Sequence, residues 1–93
     1  MHPSLTHFAS VDYWPLYHRL PSHVRENADK CFALLKSDSN HPSLQLKRIG
    51  DLWSARVGLH YRAIGMDAPG HERGILWFWI GPHAEYERLI KKA

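Results

Sequence analysis

Arg56 and Arg62 stand either side of a Gly58-Leu59 turn signal, in two runs that alternate as strands do, Leu52–Val57 and His60–Met66. Brought to one face, two guanidiniums make a forked cationic site that matches phosphate oxygens. Strand side chains alternate between faces, so the length of the turn decides whether the two meet. A three-residue loop or a bulge sets both on one face with Ser54 and Ile64; a two-residue loop separates them. The plainer account is a pair of exposed strand arginines that discourage edge-to-edge pairing. Lys47 and Arg48, on the preceding run, point to opposite faces, so one of the two can extend a cationic face.

His83 is the second candidate. It follows the apolar run Ile75–Ile80 and the pair Gly81-Pro82, where the chain leaves a strand and enters a polar–apolar segment, Ala84 to Lys92. An imidazole there can act as a general acid or base near neutral pH. It can equally mark the start of a last helix without any chemical role. Neither a second His or Cys at helical ligand spacing nor a His-Glu-x-x-His arrangement accompanies it, so no metal site is expected. Tyr86 offers a phenol to a phosphate or a ring to a base, or simply fills core. Cys31 lies on the apolar stripe of a helix, which argues against a nucleophilic thiol.

The elements that must position these residues follow from the periodicity. Ser10 or Asp12 caps a short helix through Tyr13, Leu16, Tyr17 and Leu20, with Pro15 tolerated in the first turn. Ser22 caps a second helix over His23–Lys36, whose Val24, Ala28, Cys31, Phe32 and Leu35 form one apolar stripe. After the loop at 37–43 the period becomes two, giving strands at Leu44–Ile49, Leu52–Val57 and His60–Met66 joined by short turns. Ile75–Ile80 reads as a strand buried on both faces, the centre of the sheet, stopped by Gly81-Pro82. A short edge strand fits at Thr6–Ala9. Consecutive strands on short turns are antiparallel, so the reading is α+β: a four-strand meander covered by a helical hairpin, with a short last helix.

Composition narrows the classes. The chain has 93 residues, 44% hydrophobic and 23% charged, which suits one ordinary domain. A single cysteine excludes a disulfide framework, and a charge of +3 allows a polyanionic partner without requiring one. The first seven residues lack the basic region and apolar stretch of a signal peptide, and the expectation is a cytoplasmic protein with no membrane span.

The helical hairpin, Leu44-Gln-Leu-Lys-Arg-Ile49, Trp53-Ser-Ala-Arg-Val57, Tyr61-Arg-Ala-Ile-Gly65 and Trp77-Phe-Trp-Ile-Gly-Pro-His-Ala-Glu-Tyr86 together resemble the RelE/ParE toxin superfamily, from about residue 12 to residue 91. The likeness is greatest to the subgroup described as cytotoxic translational repressors or plasmid-stabilisation-type proteins. The resemblance implies one RelE-like domain over residues 1–93: a small antiparallel four-stranded sheet packed on the helical hairpin. It further implies a toxin of a type II toxin–antitoxin pair that cleaves mRNA on the ribosome, using neither metal nor cofactor. Its partners would be a cognate antitoxin and ribosome-bound mRNA.

Carried over by position, Arg62 would stabilise the phosphate with Arg56 assisting, His83 would be the acid or base, and Tyr86 the terminal aromatic. Lys47, Arg48, Arg56 and Arg62 would bind RNA. Two departures stand out: the Leu44–Ile49 run contains no carboxylate to serve as base, and Pro82 precedes the histidine. The alternatives are a ParE-like toxin that binds gyrase and an inactive module that only binds an antitoxin.

Overall fold

The computed structural model describes residues 5–92; the first four residues, on which the reading of the N-terminus partly rests, lie outside it. Its elements run β1 (Thr6–Ala9), α1 (Tyr13–His18), α2 (Ser22–Ser37), β2 (Lys47–Ile49), β3 (Leu52–Val57), β4 (Tyr61–Asp67), β5 (Gly74–Pro82) and α3 (His83–Lys92), with a 3₁₀ turn at Pro42–Leu44. The strands form one sheet in the order β1-β5-β4-β3-β2. The meander β2 to β5 is antiparallel, while β1 joins β5 in parallel, so the sheet is mixed and five-stranded. The edge strand is present as expected, and it makes β4 rather than β5 the middle strand.

Several boundaries differ from the sequence reading for local reasons. The strand beginning at Leu44 is shorter, because Pro42–Leu44 closes a 3₁₀ turn and Gln45 takes a left-handed conformation at φ 45°. The chain straightens only at Lys47. Gly81 and Pro82 do not stop β5: they pair with Arg62 and Tyr61, and the strand ends where α3 begins. Ser22 is the first residue of α2, with Pro21 in the capping position. The Ser10 hydroxyl accepts from the Asp12 amide ahead of α1, which ends at His18. Nor is β5 wholly buried, since Leu76, Phe78 and Trp79 are half-exposed.

One core holds the helical hairpin to the sheet. Tyr13 of α1 and Val24, Ala28 and Leu35 of α2 pack with Ala55, Val57, Ala63, Ile75, Trp77 and Ile80 from one sheet face. Ile75 and Trp77 share a face by ordinary alternation, but Ile80 would not. A bulge resolves this: Ile64 pairs with Trp79 and Gly65 with Trp77, leaving Phe78 as the extra residue. Past the bulge Ile80 faces the helices, and Trp79 faces the opposite side with Ile64. That opposite side is where α3 sits, because Tyr86 of α3 bonds Ser54, which alternates with the core-facing Ala55. Among the described residues no helix is long and apolar enough to cross a membrane.

Trp77, the largest fully buried side chain, lies against Gly65 on the neighbouring strand. A Cβ at Gly65 would stand 2.7 Å from Cγ2 of Ile75 and 3.0 Å from the indole of Trp77, both buried and unable to swing away. Gly65→Ala should therefore lower the unfolding free energy by about 1–3 kcal/mol, as overpacking a tight core does. Urea titration measures it, and a loss below about 0.5 kcal/mol, the ordinary scatter of surface changes, would contradict this packing.

Candidate active site

The β3–β4 turn settles the register on which the arginine pair depends. Val57 pairs with Tyr61, so the loop is three residues long, Gly58 to His60, and Gly58 opens it at φ 65°. Glycine takes that left-handed backbone without the Cβ clash other residues incur. Arg56 consequently lies directly opposite Arg62, and Ser54 opposite Ile64, all on the face away from the helical hairpin. Like charges directly opposed on a sheet repel. Each guanidinium turns to a nearby carbonyl, Arg56 Nε to Gly58 at 3.1 Å and Arg62 Nη1 to Tyr61 at 2.8 Å. Among the described residues neither meets a carboxylate within salt-bridge distance, and both are half-exposed. Two cations at opposed strand positions, neither paired with a carboxylate among the described residues, can attract an anion.

Lys47 and Arg48 divide between the two faces. Lys47 pairs with Ser54 and is exposed on the arginine face. Arg48 pairs with Trp53 and lies on the other side, where it is already engaged. Its Nη1 and Nη2 donate to the two oxygens of Asp67 at 2.6 and 2.7 Å, and it stands 4.9 Å over the Trp53 ring. Trp53 Nε1 donates to the same carboxylate at 3.0 Å. These bonds, Arg48 first and then Trp53, pull the Asp67 carboxyl down to about 2. Arg48 thus fastens the β2 edge to β4 and does not join the cationic patch.

His83 is the first residue of α3, two positions beyond Gly81, the partner of Arg62. Its amide donates to the His60 carbonyl at 2.8 Å, which pins the helix start to the β3–β4 turn. Its Nε2 lies 2.7 Å from Oε1 of Glu87, one helical turn on. The Glu87 carboxyl is held below its ordinary range, first by that bond and the His83 charge, with Lys91 and Arg62 adding to it. With Nε2–H donating to Glu87, Nδ1 is the nitrogen left to exchange a proton. A carboxylate therefore lies beside His83 on α3 itself, outside the Leu44–Ile49 run. Its signal in the sequence was the i, i+4 spacing of His83 and Glu87 on a helix.

Tyr86 has a different place. It is buried, its hydroxyl 2.8 Å from Ser54 Oγ, and its ring meets His83 edge-on with centroids 5.8 Å apart. It anchors α3 to the sheet beneath the histidine. Trp79 is a second residue the sequence reading did not single out. Its indole lies across Gly81, where an added Cβ would come within 2.6 Å of Cζ2, and so presents a flat surface beside Arg62. Among the described residues no three His, Cys, Asp or Glu side chains are grouped to hold a metal ion. Cys31 is half-buried and its thiol is pushed up by burial, away from the nucleophilic form.

The Ser54–Tyr86 bond is buried, so losing one partner strands the other. Tyr86→Phe and Ser54→Ala should each cost about 1–3 kcal/mol, while the double variant recovers part of the loss. Urea unfolding of the four proteins checks this, and strict additivity of the two losses would show that the hydroxyls do not depend on each other.

No protein-family model and no curated protein sequence matches the chain. Its backbone, in contrast, is similar to solved structures. A YoeB/ParE toxin from Agrobacterium tumefaciens superposes with a TM-score of 0.63 at 13% identity, over 85% of this chain and 99% of that one. The RelBE2 toxin–antitoxin complex of Mycobacterium tuberculosis gives 0.63 at 18%, over 87% and 100%. The isolated RelE toxin of E. coli gives 0.59 at 14%, over 95% and 97%. Hairpin, meander and last helix, together with these superpositions, give this chain the fold of the RelE/ParE toxins.

Proposed function

We propose that this chain is the toxin of a type II toxin–antitoxin pair and cleaves mRNA on the ribosome without a metal. The observation that carries the reading is the half-exposed Arg56–Arg62 pair on the sheet face that bears α3, with its carboxylate-held histidine. Such a constellation suits transesterification of RNA. The neutral His83 Nδ1 takes the proton of a 2′-hydroxyl, whose oxygen attacks the adjacent phosphorus. The bond from phosphorus to the 5′-oxygen breaks, and the imidazolium returns its proton to that oxygen. A 2′,3′-cyclic phosphate and a 5′-hydroxyl remain.

Arg62, assisted by Arg56, would bear the charge that grows on the non-bridging oxygens, the largest kind of catalytic contribution in most enzymes. Glu87 would keep the histidine in its productive tautomer. Lys47 would extend the phosphate track, and Trp79 would give a base a ring to stack on. The fold neighbours include toxins solved with an antitoxin, RelBE2 among them. An antitoxin whose acidic segment covers the cationic face is the corresponding partner for this chain.

Purified protein added to ribosomes holding a defined message tests the chemistry. Arg62→Ala should lose about 10²–10³-fold in cleavage rate, and His83→Ala about 10²–10⁴-fold. Glu87→Gln should lose less than His83→Ala. A message carrying a single 2′-deoxynucleotide at the cut should not be cleaved there. Cleavage at that deoxynucleotide, or full activity in Arg62→Ala, would overturn the mechanism.

A further inference from the structure

At the far end of the sheet from His83, His7 of β1 is buried in a chain of hydrogen bonds that joins three elements. Trp77 Nε1 lies 3.0 Å from His7 Nδ1, His7 Nε2 lies 3.0 Å from Ser39 Oγ, and Ser39 Oγ lies 2.6 Å from the Leu35 carbonyl. The two ring planes are 16° apart with centroids at 6.1 Å, so with a 3.0 Å contact between nitrogens the rings sit side by side.

The direction of every link is forced. An indole nitrogen only donates, so Nδ1 must accept and the imidazole proton sits on Nε2. Nε2–H then donates to Ser39 Oγ, whose own proton goes to the Leu35 carbonyl. A proton added at Nδ1 would point one N–H at another across 3.0 Å and leave the Trp77 indole, in the middle of the core, without an acceptor.

We infer that His7 is a proton-operated latch, closed while the imidazole is neutral and opened when the ring is protonated, which frees β1 from β5 and from the turn after α2. Apart from the Leu35 carbonyl, the groups facing the ring favour the neutral form. Lys36 approaches it from α2 with a like charge, β5 presents the neutral indole of Trp77, and the turn after α2 presents the Ser39 hydroxyl. Among the described residues no carboxylate lies within salt-bridge distance of it. The other titratable ring near β1, His71, packs against Phe8, whose side chain alternates to the opposite face. Burial lowers the ring's pKa from 6.5; the Leu35 backbone carbonyl opposes it with the next largest effect, and the Lys36 charge adds a smaller lowering.

The sign follows. The unfolded chain binds the proton more readily than the folded one, so the latch is fully closed above about pH 6.5 and weakens as pH falls through the lower folded value. Opening leaves the Gly74–Trp77 edge of β5 unpaired. The arginine face lies at the other ends of β4 and β5 and keeps its own pairing.

Amide and indole hydrogen exchange between pH 8 and pH 5, read as protection factors by NMR, tests the latch. The reporters are the Trp77 indole proton and the amides of Thr6 and Ser10, which bond Arg73 and Trp77 carbonyls. In the wild type their protection should fall by up to about tenfold per pH unit below pH 6.5, the limit for one proton. In His7→Gln, whose amide accepts and donates like the neutral ring but does not titrate, it should stay level. Nitrogen shifts of the ring in the wild type give a second test that needs no variant: they should report the Nε2–H tautomer at pH 7.5. A proton on Nδ1 at that pH, or β1 protection that does not change with pH in the wild type, would overturn the proposal.

Discussion

Everything on the cationic face depends on the length of one turn. With three residues between Val57 and Tyr61, the side chains of β3 and β4 that oppose one another are Arg56 with Arg62 and Ser54 with Ile64. Shortening the loop by one residue would shift the register and send Arg62 to the side the helices cover. A glycine at positive φ begins the turn, and the His60 carbonyl within it holds the first amide of α3. One short loop thus positions both guanidiniums and the start of the helix that bears the histidine.

The sheet is the common frame for two different chemistries on its faces. On the helical side the bulge at Phe78 lets Trp77 and Ile80 enter the same core, which ties β5 down as far as Ile80, three residues before His83. On the open side Ser54 and Tyr86 make a small buried contact that holds α3 down, leaving His83 and Glu87 at the rim. The opposed arginines repel each other and so cost the fold some stability. A phosphate between them would relieve that repulsion, which is the usual trade between a strained site and its ligand. Arg48, with the same charge one residue from Lys47, escapes that conflict because alternation sends it to Asp67 on the other face.

Much of this was legible from residue types. The two helices and the β3 and β4 strands follow from apolar spacing, as does the placement of Cys31 on an apolar stripe, whereas the weakly patterned Thr6–Ala9 offers only an optional edge. What spacing left open was the register of Arg56 and Arg62, because Gly58-Leu59 signals a turn without giving its length. The failures have local causes. Gln45 adopts a left-handed backbone that no alternating pattern announces, and Gly81-Pro82 continue β5 two residues beyond Ile80 because Pro82 lies against Tyr61, the first residue of β4. Glu87 meets His83 only once residues 83–92 form one helix that starts at the histidine. Nothing in the spacing of His7 along the sequence marks a site; only its tertiary partners distinguish it.

The most direct measurement is induced expression of the wild type, Arg62→Ala and His83→Ala in cells, with growth followed while the 5′ ends of all mRNAs are mapped. The account predicts growth arrest with new 5′-hydroxyl ends inside translated codons for the wild type, and neither effect in the two variants. Arrest with intact messages, or new ends that persist in Arg62→Ala, would contradict it.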